Sequence, residues 1–364
     1  ADLPVHPLDC KAAFSMLDHV EKQYVHHLCQ AAWAGARACL QQASAESPAI
    51  FDLLQLMFGP KGQAEALQTK CKEPPYSVPA DRFTEWLAYT AAFYGNLGNY
   101  YASGDLKFIP SCPEETVHSI VSCAAAQLPP DLSQRMLALW ESCRAKMFSL
   151  KDGERMIGYA PAGTCAYFSP DCTEADIRLV NAFCTQQGVP MSLQEVNSRL
   201  WKRGPGEFEL QLASSEPIEE AVHAYEGVTI RVTGQDLAPY MADVVRHLMA
   251  AIPFAASDCQ RSMLEAYVRH FQTGAIAPHL ESQRHWVDDK GPVVETQLGF
   301  IEPYRDPAGL RGEWQGMIAI VNKATSAKFG ALVDGATELL AKFPWPREFE
   351  KDVFSRPDFN AVEV

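Results

Sequence analysis

The spacing of apolar positions changes partway along the chain. From Cys10 to Gln42 apolar residues recur at Phe14, Leu17, Tyr24, Leu28, Trp33 and Leu40, the period of a helix that buries one stripe. A second helix is predicted over Ile50 to Phe58, closed by Gly59 and Pro60, and another from Asp81 to about Tyr94. The stretch up to Lys72 fits neither helix nor strand, and Glu73 to Pro79 carries three prolines and reads as a turn or short linker. Asn96 to Pro110 is rich in Gly, Asn and Tyr without a period, the signature of a shaped loop and a candidate cleft wall.

After about Gly158 strict alternation takes over. Phe208, Leu210 and Leu212 share one face of a predicted strand, and Val228, Ile230 and Val232 share one face of another. β-branched runs over 292–300 and 313–322 predict two more strands, the second followed by a helical stretch from Lys323 to Phe343. Helices also fit Cys172 to Gln186, Gln235 to Ala251 and Asp258 to Gln272. The expectation is an α+β fold: a mainly helical region over 1–157, then a mixed region over 158–364 around an antiparallel-rich β-barrel or sheet, together one continuous unit. The Pro- and aromatic-rich end from Phe343 onward reads as an extended arm.

Composition narrows the classes of function. With 47% hydrophobic and 21% charged residues over 364, collagen-like, coiled-coil and disordered readings are excluded. The formal net charge of −14 opposes binding to phosphate backbones and anionic lipid, so neither nucleic acid nor membrane is an expected partner. The 11 cysteines include no CxxC pair, which fits reduced thiols and a cytoplasmic setting. No run approaches the roughly 18 consecutive apolar residues of a membrane span.

Motifs for common chemistries do not occur. There is no His-Glu dipeptide from which a zinc-peptidase helix could be built, and His19, His26, His27, His247 and His270 read as ordinary helix histidines. No GxSxG, GxGxxG or Walker A sequence is present; Cys165 or Cys172 as a nucleophile rests on composition alone. The densest polar constellation spans 271–314 and holds His279, Glu281, Arg284, His285, Asp288, Asp289, Lys290, Glu295, Glu302, Tyr304, Arg305 and Asp306 among Trp286, Phe300 and Trp314. The two-residue strand period puts Glu295 and Gln297 on one face, from which an extended ligand could be gripped; equally, Glu295 could pair with an Arg inside the fold.

Within that constellation, DKGPVVETQLGFIEPYRDP resembles the signature of the dipeptidyl peptidase III family, cytosolic zinc aminopeptidases that remove dipeptides from short peptides. The resemblance continues in order through PLDC, YGNLGNYYASGDLKFIP, YFSPDCT, NSRLWK, RGEWQGMIAIVNKATSAKF and PWPREFEKDVF. It implies a two-lobed fold, of which this sequence resembles the amino-terminal half and most of the barrel-centred lower lobe. The family's HExxxH motif and the EExxAE-like helix with its further Glu ligand do not occur in these 364 residues. No metal site or cofactor is therefore expected in this chain, zinc belonging to the other half. By resemblance, Val294 to Phe300 match the family's VE-containing strand motif, and Glu295 would bind a peptide's free amino terminus. Two positions depart from the pattern: Gln297 stands where Tyr, Asn or His is usual, and Ser103 where an aromatic lines the cleft.

Two readings follow. In one, the chain is a metal-independent enzyme of isomerase or cyclase type, or a binder, acting on a small molecule or short peptide. In the other it is the non-zinc half of a dipeptidyl peptidase. The acid–base candidates are Glu295, Tyr304, His285, Asp105 and Lys107; the substrate-binding candidates are Asn96, Ser103, Gln297, Phe300 and Arg305. Strand edges left bare by the missing half make a homo-oligomer a further expectation.

Overall fold

The computed structural model describes residues 9–59, 63–186, 196–350 and 360–363. Pro60, the first residues of the PLDC motif and 351–359 of the expected arm lie outside them. The order of elements is α1 (Lys11–Ser15), α2 (His19–Ala43), α3 (Ser47–Phe58), α4 (Ala64–Lys72), α5 (Ala80–Asn96), α6 (Glu114–Ala125), α7 (Pro130–Met147) and α8 (Glu174–Gln186). Then come β1 (Ser198–Gly204), β2 (Glu207–Ala213), β3 (Ala221–Tyr225), β4 (Val228–Asp236), α9 (Ala238–Ala251), α10 (Asp258–Thr273) and α11 (Ile276–Asp288). The chain closes with β5 (Val294–Glu302), β6 (Glu313–Val321), α12 (Lys323–Asp334), α13 (Ala336–Leu340) and β7 (Val362–Glu363).

The fold is α+β, as the change of period predicts, but the strands do not close a barrel. The described strands form two sheets, β1-β2-β4-β3 and β5-β6-β7. Closure needs the outermost strands to pair with one another, and β1 and β3 instead remain at opposite edges. The ambiguous stretch before Lys72 becomes α4, and the helix expected over Lys323 to Phe343 breaks at Gly335 and stops at Leu340. No described helix is long and apolar enough to cross a membrane.

The chain divides into two compact units. Unit 1 holds Ala34–Met241 and Gly299–Gln315; unit 2 holds Val5–Trp33, Ala242–Leu298 and Gly316–Val364. Unit 1 is built around the stripes of α3, α5, α6 and α7: Leu53, Leu54, Phe83, Trp86, Phe93, Ile120 and Trp140 are each at most 1% exposed. A second core lies where Ile177, Val180 and Phe183 of α8 meet Leu200, Phe208, Leu210 and Ile230 of the four-stranded sheet. The close approach of α2 and β6 depends on two missing side chains: a Cβ at Gly35 would collide with the indole of Trp314, and one at Gly316 with Ala32.

In unit 2, α10 starts at Ser257, whose hydroxyl accepts the Gln260 N–H at 3.0 Å, and ends at Gly274 with φ +71°. It packs against α11 through two histidines, His270 and His279, with ring centroids 5.0 Å apart. A carbonyl can only accept, so the 2.8 Å contact from His270 Nδ1 to the Ala275 oxygen fixes the proton on Nδ1. Burial, reinforced by His279, pushes the His270 pKa down to about 3 against the pull of that bond.

The linkage follows in sign. Below about 6.5 the unfolded chain takes up a proton that folded His270 refuses, so stability falls as pH drops from about 6.5 towards 3. Urea unfolding at pH 6.5 and pH 5 should show a loss on the order of 2 kcal/mol from this group. His270→Phe should flatten that part of the profile; an unchanged slope would show that His270 is not the group responsible.

Candidate functional site

Strand β5 displays the pattern read from the sequence. Val294, Thr296 and Leu298 are buried while Glu295 and Gln297 are half-exposed on the other face, both in unit 2. The strand is held from its buried side: Tyr267 of α10 hydrogen-bonds the Leu298 backbone and accepts from Gln283 Nε2 at 2.9 Å. Neither Tyr267 nor Gln283 carries a sequence signal for that role. Asn360 Nδ2 donates to Glu295 Oε1 at 3.2 Å, so the carboxylate faces the segment that leads into β7. That segment is itself fixed, with Asn322 Nδ2 donating to Glu363 Oε1 at 2.7 Å and the Ala13 N–H donating to Glu363 Oε2 at 3.0 Å. His285, also in unit 2, lies on α11 with Nε2 4.0 Å from Glu281 Oε1.

The remaining candidates belong to unit 1, and several are interior residues. Arg305 is 1% exposed; its Nε donates to Glu313 Oε1 at 2.9 Å and its Nη2 to the Asn96 carbonyl. The cation thus sits at the C-terminal end of α5, where the helix dipole favours it. Cys39 Sγ donates to the same Glu313 oxygen at 2.8 Å, and burial, then Glu313, pushes that thiol well up. Asn96 is occupied locally, donating to the Ala92 carbonyl and accepting the Ala102 N–H. Phe300 is buried edge-on to Trp314 with centroids 5.6 Å apart. These contacts commit Arg305 and Phe300 to the interior, while Asn96 is half-buried and engaged by its own loop.

Lys107 is likewise inside, because its ammonium is needed there. Its Nζ is 3.0 Å from Glu46 Oε1 and donates to the Lys146 carbonyl at 2.8 Å, with side-chain exposures of 1% and 5% for the two partners. Burial pushes the Glu46 carboxyl up, but Lys107 and the Asn99 amide more than offset this and hold it below the usual range. Tyr304 and Ser103 are exposed, and Asp105, half-buried, takes a left-handed φ of +61° in the turn that follows. Of the ten candidates, the structure joins Arg305 with Asn96 and places Glu295 beside Gln297.

The surroundings of Cys165 and Cys172 disfavour the thiolate form that a nucleophile needs. Burial, with Asp306 nearby, pushes the Cys165 thiol well up, and burial also raises Cys172 against a smaller opposing effect of Ser169. Both line a cavity of about 230 Å³ in unit 1, together with Lys146, Glu154, Tyr159 and Phe168. Beside it the loop after β5 is tied down from within: Asp306 accepts the backbone N–H groups of Ala308, Leu310 and Arg311, and the Arg311 guanidinium lies 4.8 Å above the Phe168 ring. Among the described residues no group of three or more His, Cys, Asp and Glu side chains is placed to hold a metal ion.

The chain belongs to peptidase family M49, whose model matches residues 139–364. It is 39% identical over 375 residues to dipeptidyl peptidase 3 of Nematostella vectensis, covering 98% of this chain and 50% of that protein. It is 40% identical over 379 residues to dipeptidyl peptidase 3 of Homo sapiens, covering 100% of this chain and again 50% of the relative. The chain therefore spans about half the length of the curated relatives it matches. The structure of DPP III from Caldithrix abyssi shares the fold, with a TM-score of 0.50 at 14% identity, over 96% of this chain and 49% of that one.

The Lys107–Glu46 pair makes a distinct prediction. Lys107→Met should lose about 3 to 5 kcal/mol in urea unfolding, because Glu46 is left charged and buried without its partner. The double change Lys107→Met with Glu46→Leu should recover most of the loss. A Lys107→Met chain as stable as the original would place the ammonium outside the fold's interior.

Proposed function

We propose that this chain is the peptide-recognition half of a zinc-dependent dipeptidyl peptidase, one that grips the free amino terminus of a short peptide through Glu295. The observation that carries the reading is Glu295 on β5, half-exposed beside Gln297 in a chain whose relatives are dipeptidyl peptidases 3. A carboxylate on a strand presents two acceptor oxygens to an ammonium, while neighbouring backbone groups can align an extended peptide. The reading leaves bond cleavage to the zinc motif of the family, HExxxH, which does not occur in these 364 residues.

The isomerase or cyclase reading gains no support. Of its acid–base set, Lys107 is committed to a buried ion pair and His285 lies beside Glu281 on one helix.

Calorimetric titration of this chain with a tetrapeptide and its N-acetylated form tests the grip. The free amine should bind on the order of 10- to 100-fold more tightly, the effect of one charge-assisted hydrogen bond. Glu295→Gln should erase that difference while the melting temperature holds. Equal binding of both peptides, or a preference that survives Glu295→Gln, would sink the assignment; a large fall in melting temperature would make Glu295 a structural residue.

A further inference from the structure

Strand β3 is the outer strand of the four-stranded sheet, paired on one side with β4 from Ala221↔Val232 to Tyr225↔Val228. Among the described residues no backbone group pairs with its other side. The opposite edge is closed: the Leu200 N–H donates to the Tyr167 carbonyl at 2.8 Å, the Ser169 N–H to the Leu200 carbonyl at 2.9 Å, and the Lys202 N–H to Ser169 Oγ at 2.9 Å. An uncovered edge is a template for strand addition, and folds usually blunt it with Lys, Pro, a bulge or a covering loop. The sequence of β3, AVHAY, carries no Lys or Pro, and its register with β4 runs without a bulge.

The side chains also leave the approach clear. His223 and Tyr225 turn onto Phe183 of α8, at 5.0 and 5.6 Å between centroids, so the exposed positions are the short Val222 and Ala224. Charge selects the occupant. Glu219 and Glu220 lead into the strand and Glu226 closes it, all three exposed, with Arg231 bound to Glu220 at 2.6 Å.

We infer that the free edge of β3 docks an extended basic peptide segment, which adds to the sheet as a fifth strand. Its cationic side chains meet Glu219 and Glu226 at the two ends, about 23 Å apart along an extended chain. Main-chain hydrogen bonds supply the alignment, and the carboxylates select Lys or Arg over acidic or neutral sequences. This edge belongs to unit 1, and Glu295 to unit 2.

The test is fluorescence anisotropy of this chain with a labelled, N-acetylated octapeptide, Lys-Val-Thr-Val-Thr-Val-Thr-Lys, whose blocked terminus removes any role for amino-terminal recognition. Two further peptides carry N-methyl groups on alternate residues, one set for each strand edge. The octapeptide should bind saturably, one methylated form should lose binding while the other keeps it, and Glu219→Lys with Glu226→Lys should weaken binding roughly tenfold. Equal binding of both methylated peptides, equal binding of a Glu-flanked octapeptide, or no saturable binding overturns the inference. Circular dichroism confirms that the doubly substituted chain keeps its fold.

Discussion

Unit 1 depends on ion pairs that have been taken out of water. Arg305 joins the C-terminal carbonyl of α5, through Asn96, to Glu313 at the start of β6, and Cys39 of α2 adds its thiol to the same carboxylate. Lys107 and Glu46 repeat the device between the loop after α5 and the start of α3, with Asn99 and the Lys146 carbonyl completing the shell. Desolvating a charge costs several kcal/mol, so such pairs persist only when partners surround them. Such a pair adds little net stability over an apolar replacement, and each here ties an irregular segment to a helix end. Gly98 belongs to the same arrangement, since a Cβ there would press on Ala43 and come within 3.2 Å of Arg305 Nη1.

The candidate site has a different physical character. Glu295 stands on a regular strand, half-exposed, and the precision of its placement comes from the strand below it. The Tyr267 hydroxyl, itself held by Gln283, fixes the backbone at Leu298, three residues further along β5. A strand's side chains alternate with a period of two, so fixing one backbone position decides which face Glu295 and Gln297 occupy; a slip of one residue would bury both. The two kinds of carboxylate differ in setting: those surrounded by partners in unit 1 hold the fold, while Glu295, half in solvent, can exchange partners.

What the sequence revealed tracks how local each cause is. The strands at 208–212 and 228–232 and the same-face placement of Glu295 and Gln297 follow from alternation over a few residues, and were legible. The fate of Lys107 was not, because its partner Glu46 lies 61 residues away; Arg305 has its carboxylate close by at Glu313, but its burial depends on the Asn96 carbonyl 209 residues away. A polar loop such as 96–110 reads the same whether its lysine faces a ligand or a buried glutamate. Helix α11 was hidden among the charges of 271–314, where its stripe is thin: only Ile276 and Ser282 are fully buried. The barrel-or-sheet expectation came from the run of strands and again from the resemblance, but pairing is a property of whole strands, and the described strands form two sheets.

The two edges of the four-stranded sheet show the same distinction between what sequence encodes locally and what the fold arranges. By composition β1, with Arg199, Lys202 and Arg203, reads as the more exposed edge, yet it is the uncharged β3 that is left open. The difference arises because the segment YFSPDC passes alongside β1, where Tyr167 and Ser169 take up the backbone of Leu200 and the Ser169 hydroxyl takes the N–H of Lys202. No described segment does this for β3, and the residues beside it are carboxylates, which stay hydrated and hinder pairing with a second acidic edge. Like-charge repulsion therefore protects an edge that backbone chemistry leaves open, and it does so against copies of the same chain more than against a basic strand.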